Sequence, residues 1–258
     1  MKDLNFFFNP SSIAVIGASD IVGSVGYEIM KNLIEDFPGK LYPINIKQKL
    51  IFGQPSFKSI LDVPHKVEMA VIAISAPYVA DTLEECGKKG VKGVVIVSGG
   101  FSEIGEKERE TRLLEVSNKY GIRIIGPNCI GIYDNFSGVN TIFLSKDKIS
   151  YPQKGNISFL SQSGAFAGLI LDWTSKERIG ISKVVSYGNK IDVNEADLIE
   201  YIYGDKNTKV ICLYIEGIRR GRKFMESAKK VSKKIPILAL KSGKTKSGAK
   251  AASSHTGS

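Results

Sequence analysis

Histidine is scarce in this chain. Two residues in 258 are histidine, His65 and His255. With so few, and with no cluster of His, Cys and carboxylates at ligand spacing, the sequence offers no metal site of its own. Cysteine is nearly as rare: Cys86, Cys129 and Cys212 stand far apart without a CxxC pair. That excludes a disulfide framework and reads as reduced thiols in a cytoplasmic protein. No apolar run reaches the roughly 18 residues that a membrane span needs. The opening "MKDLNFFFNPSS" lacks the long apolar stretch and small-residue cleavage site of a signal peptide.

Acidic charge is absent from residues 227–258, which hold eight lysines. Most of the net charge of +10 is therefore local to that stretch. No Arg/aromatic interleaving accompanies it, so a nucleic-acid-binding surface is not expected.

What is present is a repeated alternation of short β-branched runs with helical stretches, the pattern of parallel α/β sheets. The runs at 12–17, 40–45, 68–74, 91–98 and 122–126 read as strands. Helices are expected at 25–36, 78–89 and 106–120. After a turn-rich break, "YPQKGN" (151–156), the pattern restarts. Strands are expected at 157–161, 182–188, 209–215 and 235–241, with helices at 164–178, 194–203 and 220–233. Two α/β domains follow, with a boundary around 130–155. The stretch "FSGVNTIFLSKDKI" reads as a strand-containing connector.

The first glycine loop, "IGASDIVGSVG", lies between a strand and a helix. Such a loop aims backbone amides and a helix N-terminus at an anion. Its spacing is not GxGxxG, and a tight strand–helix turn explains the glycines equally well. The second strand is more informative. NAD sites place a carboxylate near its end for the ribose diol. Here the segment is "INIKQK", with Lys47 and no acidic residue. A lysine attracts a phosphorylated ribose, which favours CoA or NADP over NAD; an exposed loop lysine is the competing explanation.

Four further motifs occur in order: "GPNCIG" (126–131), "SQSGAFA" (161–167), "YIEG" (214–217) and "SSHTG" (253–257). Together with the first glycine loop, over essentially all 258 residues, they resemble the CoA-binding and histidine-bearing part of the nucleoside-diphosphate-forming acyl-CoA synthetases. That superfamily includes the succinyl-CoA synthetase α subunit and the ADP-forming acetate–CoA ligases. The "IGAS…GSVG" and "SSHTG" forms are nearer the acetate type.

The resemblance implies a Rossmann-like CoA-binding domain over residues 1–130, followed by a flavodoxin-like ligase domain over 131–258 that ends in a phosphohistidine loop. It implies the reversible conversion of acyl-CoA, phosphate and ADP to a small carboxylic acid, CoA and ATP, through an acyl phosphate and a phosphohistidine. His255 is then the phosphoryl carrier and Glu216 the carboxylate that orients its ring. Ser161, Ser163 and Gly164 bind phosphate at a helix N-terminus. CoA falls to Gly17, Ser19, Gly23, Val25, Gly26, Lys47, Ser75, Ala76, Pro77, Ser98 and Asn128. A phosphoryl carrier suits a segment of little side-chain bulk, and "SGAKAASSHTGS" has that composition. For Ser163, simple N-capping is the alternative; for Glu216, a rim salt bridge with Arg219 or Arg220.

Cys129 is expected to be a packed thiol and His65 a surface loop residue. "GNKIDVNEADL" (188–198) also matches the family, and Asp192 or Asn194 could cap a helix there. No ATP-grasp segment is visible, so the resemblance implies a β-type partner subunit or a fused domain that holds Mg-ATP or Mg-ADP. The chain alone is not expected to complete the ATP-forming half, and a hetero-oligomer follows. Two competing readings are a non-catalytic CoA-sensing module of a larger regulatory protein, such as an acetyltransferase, and a nicotinamide-dependent oxidoreductase. Retention of His255, Glu216 and "SQSG" argues against the first. The missing carboxylate after the second strand argues against the other.

Overall fold

The computed structural model describes residues 3–243. A short helix, α1 (Asn5–Phe8), buries Phe7 and Phe8 and leads into β1 (Ser12–Ile16), which is buried along its whole length. Helix α2 (Val25–Asp36) starts at Ser24, whose Oγ accepts the Tyr27 amide at 3.3 Å. Then come β2 (Lys40–Ile44) and a small hairpin of β3 (Leu50–Ile51) and β4 (Gln54–Pro55). Next are β5 (Met69–Ile72), a 3₁₀ turn at Ala76–Tyr78 and α3 (Val79–Lys89). The first half closes with β6 (Gly93–Ile96), α4 (Lys107–Tyr120) and β7 (Arg123–Ile125).

These strands, the hairpin apart, form a parallel sheet of order β2-β1-β5-β6-β7. The chain runs outward from β1 to β2 and then returns to β5 on the other side of β1. The order therefore reverses at the β1/β5 boundary, and the carboxyl ends of those strands open a crevice where α/β proteins bind ligands.

The second half repeats this plan. It comprises β8 (Ile132–Asp134), β9 (Lys154–Ser161), α5 (Gly164–Lys176), β10 (Ile181–Ser186), α6 (Glu195–Ile202), β11 (Val210–Ile215), α7 (Gly221–Val231) and β12 (Ile237–Lys241). The sheet order is β12-β11-β9-β10-β8, parallel except for β8. Its reversal falls between β9 and β11. That brings the "SQSG" turn and Glu216 to one edge.

The halves share a core. Val15, Val71, Val95 and Ile125 of the first sheet belong to one buried cluster with Leu160 and Val185 of the second sheet, Tyr187 just after β10 and Leu198 of α6. Full burial of each such aliphatic side chain contributes about 1.5–3 kcal/mol. Polar ties cross the same boundary: Asn32 donates to the Ile142 carbonyl at 2.7 Å, and Arg123 pairs with Asp192 at 2.7 Å.

Each expected strand and helix within the described residues has its counterpart. The sequence reading missed α1, the β3–β4 hairpin and β8, each too short to show a period. The turn-rich stretch 151–156 is not wholly a break, since β9 already begins at Lys154. There Gly155 lies against Gly180, so closely that an added Cβ would sit 2.1 Å from the Gly180 carbonyl carbon. Glycine in this strand admits a close backbone approach rather than ending the strand. The connector over 135–153 carries no strand, only one isolated bridge between Tyr133 and Asn140.

Candidate functional site

Two clefts open at the two reversals. The first, of about 500 Å³, lies between the ends of β1, β2 and β5. Gly17, Lys47, Lys58, Ser75, Tyr78 and Thr82 are among its walls. Gly17 leaves β1 at φ +90°, and its amide donates to the Ile44 carbonyl at 3.0 Å, which ties the loop to β2. Gly26, at the second position of α2, packs on the Gly17 carbonyl. Asn45 sets the turn after β2: its Nδ2 donates to the Ala18 carbonyl at 2.7 Å, and its Oδ1 accepts the Lys47 and Gln48 amides at 2.7 and 3.0 Å. Lys47 is left exposed on the cleft wall. No carboxylate follows β2 here; Lys47 and Lys58 bring two positive charges to the cleft wall against the carboxylate of Glu85, which accepts from Ser59 Oγ at 2.6 Å, and the excess is suited to phosphate.

The other residues expected at this site do not line that cleft. Ser19 accepts the Ile21 amide at 2.9 Å and shapes the loop. Gly23, at φ +81°, and Val25 flank the cap of α2. Ala76 is buried and Pro77 exposed in the 3₁₀ turn. Ser98 accepts the Asn128 amide at 2.9 Å through its carbonyl, and so carries the first sheet's edge toward the second cleft.

The second cleft, of about 260 Å³, is walled by Asn128, Ser163, Gly164, Asn189 and Glu216 with the apolar side chains of Val97, Ile130 and Phe143. Ser163 caps α5, accepting the Phe166 amide at 3.3 Å through Oγ, and Gly164 is the first helical residue. Both thus sit at the positive end of a 13-residue helix. The capping alternative is realised, and it coexists with a place on the cleft wall. Ser161, by contrast, is fully buried and donates to the Ser163 carbonyl at 2.6 Å, so its hydroxyl shapes the turn. The Glu216 amide donates to Gln162 Oε1 at 2.9 Å, and its carbonyl accepts from Lys241 at 2.7 Å. His255, with Ser253, Ser254 and Thr256, lies outside the described residues.

The sequence reading did not single out Gln162, Asn189 or Lys190, although "SQSG" and "GNKIDVNEADL" contain them. Asn189 is buried and bridges the halves. Its Nδ2 donates to Glu103 and Glu110, each at 2.7 Å, and its Oδ1 accepts from Asn128 at 3.3 Å. Burial raises the Glu103 carboxyl, but bonds from Asn189 and the Gly100 and Phe101 amides outweigh it and hold the group below the usual range. Lys190 is buried beside Gln162, and burial pushes its amine below the usual lysine range. Asn194 caps α6, accepting the Ala196 amide at 3.0 Å, whereas Asp192 pairs with Arg123.

Cys129 is 3% exposed, its thiol on the Ile96 carbonyl, and burial pushes it up to about 12. That is a packed thiol. His65 is exposed and stacks near Tyr42. Among the described residues no group of His, Cys, Asp and Glu could hold a metal ion, and no helix is long and apolar enough to cross a membrane.

Residues 11–135 match the family described as "CoA binding domain", and residues 154–258 match "Succinyl-CoA ligase like flavodoxin domain". The α subunit of acetate–CoA ligase [ADP-forming] II from Pyrococcus furiosus is 50% identical over 257 residues, covering 99% of this chain and 55% of its own. The acetate–CoA ligase [ADP-forming] of Methanocaldococcus jannaschii is 52% identical, covering 99% of this chain and 36% of its own. A solved acetyl-coenzyme A synthetase 1 of Ca. Korarchaeum cryptofilum, in complex with phosphate and ADP, superposes with a TM-score of 0.94 at 42% identity. That match covers 100% of this chain and 55% of the other. The chain thus spans about half, or less, of the length of these relatives.

Proposed function

The chain belongs to the nucleoside-diphosphate-forming acyl-CoA synthetase superfamily, and on that premise we propose that it is the CoA-binding, histidine-bearing α-type part of an ADP-forming acid–CoA ligase. The observation that carries this reading is the second cleft, where Asn128 from the end of the CoA-type sheet meets Ser163, Gly164 and Glu216 from the ligase-type sheet. A thioester held along the first sheet's edge would present its carbonyl there.

The first cleft fits the adenosine end of CoA. Lys47 and Lys58 answer its phosphates, and the exposed Tyr78 ring offers a face for the base. When bound, CoA supplies the thiol that receives or releases the acyl group. Inorganic phosphate rests at the N-terminus of α5, where Ser163 Oγ–H and the first helical amides face it. It attacks the thioester carbonyl and displaces the CoA thiolate, and the acyl phosphate so formed passes its phosphoryl group to His255 and leaves as the free carboxylate. Glu216 holds the imidazole in the right tautomer and stabilises the cation formed in transfer. The lysine-bearing glycine-rich segment then carries the phosphoryl group to Mg-ADP on an ATP-grasp partner, in a cytoplasmic hetero-oligomer.

Incubation of the assembled enzyme with magnesium and labelled ATP tests this. The chain should take up label that is acid-labile and base-stable, as a phosphoramidate is. Peptide mapping should place it on His255 rather than Ser253, Ser254 or Thr256, and His255→Ala should abolish it. Label on a flanking hydroxyl, or full labelling of His255→Ala, would refute the reading.

A further inference from the structure

Lys190 is a buried cation for which the chemistry above has no use. Its side chain and that of Glu195 are each 3% exposed, and they pair at 3.1 Å. Its backbone lies at φ +47°, in the left-handed region that non-glycine residues seldom occupy. A buried ion pair of this kind is often no more stabilising than well-packed apolar residues would be. Stability alone therefore does not explain it.

An ammonium has three donors. Those of Lys190 reach Glu195 Oε2, Gln162 Oε1 at 3.4 Å and the Gly217 carbonyl. Gln162 Oε1 also accepts the amides of Glu216 and Gly217 at 2.9 and 3.0 Å. Gln162 directly precedes Ser163, the cap of α5. One cation thus joins the ends of β9 and β11, the two strands on either side of the topological reversal.

We infer that Lys190 is a positioning residue: anchored by Glu195, its ammonium clamps Gln162 and Gly217 so that the Ser163 turn and Glu216 are held in register across the second cleft. The catalytic consequence rests on the proposed phosphoryl chemistry; the clamp itself does not.

The test uses the assembled enzyme with this chain in its full-length polypeptide. Two variants are compared with wild type: Lys190→Met, and the double variant Lys190→Met/Glu195→Leu, which removes both members of the buried ion pair. Hydrogen exchange of the Glu216 and Gly217 amides reads the clamp. Labelling rate from ATP reads the chemistry, and titration with CoA reads the neighbouring site. Both amides should exchange faster in both variants. Labelling should fall roughly 10- to 100-fold, as small misplacements of reacting groups do. CoA affinity should be unchanged, and the double variant should melt no lower than wild type. If the double variant regains both melting temperature and labelling rate, the pair is merely structural and the inference fails. Unchanged amide exchange overturns the clamp while leaving the functional reading intact. A wild-type enzyme that never labels overturns the functional reading and the catalytic role of the clamp together.

Discussion

Gly26 packs onto Gly17 across the first loop: a Cβ added to Gly26 would lie 1.8 Å from the Gly17 carbonyl oxygen. The helix that follows the loop can approach β1 only because that position has no side chain. Overpacking of such a contact costs about 1–3 kcal/mol. Gly26→Ala should therefore lower stability in chemical denaturation and also weaken CoA binding, because α2 and its loop must shift. Unaltered CoA affinity in the folded variant would show that the loop does not bear on that site.

Lys47 stands where dinucleotide sites that prefer NAD have a carboxylate. Wild type should bind CoA more tightly than dephospho-CoA, and NAD more weakly than either. In Lys47→Ala the gap between CoA and dephospho-CoA should narrow. Isothermal titration with the three ligands checks this, and tighter binding of NAD than of CoA would contradict it.

Ser163→Ala should lower phosphoenzyme yield while CoA affinity stays near wild type. A hydrogen bond to a charged group contributes about 1.5–3 kcal/mol, roughly a 10- to 100-fold effect. Loss of the α5 cap should also cost about 1 kcal/mol of stability, measurable as a lower melting temperature. An equal fall in CoA binding and phosphoenzyme would mean that the two clefts are misassigned.

Cys129 lines the second cleft but is a poor nucleophile, its thiol pushed up to about 12 by burial. Treatment of the native protein with iodoacetamide near neutral pH should leave it unmodified. Cys129→Ala should keep phosphoenzyme labelling at a modest cost in stability. Complete loss of labelling in a folded Cys129→Ala would restore a chemical role to the thiol.

Asp205 contributes stability that depends on pH. Burial raises its carboxyl, but bonds from Lys183 at 2.8 Å and Thr208 at 2.6 Å outweigh that and hold it below the usual range. Its folded value is lower than its unfolded value of about 3.9. The stabilisation is therefore present above the unfolded value and lost as pH falls through the folded one. Asp205→Asn should melt below wild type at neutral pH, and the gap should close in acid. A gap that widens as pH falls would contradict the sign.

Much of the fold is legible in local pattern. The runs "SIAVI" and "VICLYI" read as strands because they are β-branched and apolar, and α5 is framed by a serine cap. The helix cap at Asn194 is equally local. Strand β8 was not legible: three residues pairing antiparallel with β10 carry no period. Nor was the role of Asn189, whose carboxylate partners lie 79 and 86 residues away in the chain. Lys190 and Glu195 sit five residues apart, a spacing that predicts no contact on a helix and here spans a turn.

By itself the sequence determined the alternation of strand and helix, the glycine loop, the absence of a carboxylate after β2 and the order of the motifs. These follow from residue preference and spacing, which act over a few neighbours. Only the tertiary structure decided which loops meet. The reversals between β1 and β5 and between β9 and β11 put Gly17 with Lys47 and Ser75, and Ser163 with Glu216 and Asn128. It also decided which polar groups are buried, and so made Asn189 and Lys190 bridges between distant segments. Strand order and desolvation arise from packing across the whole chain, and no local pattern encodes them.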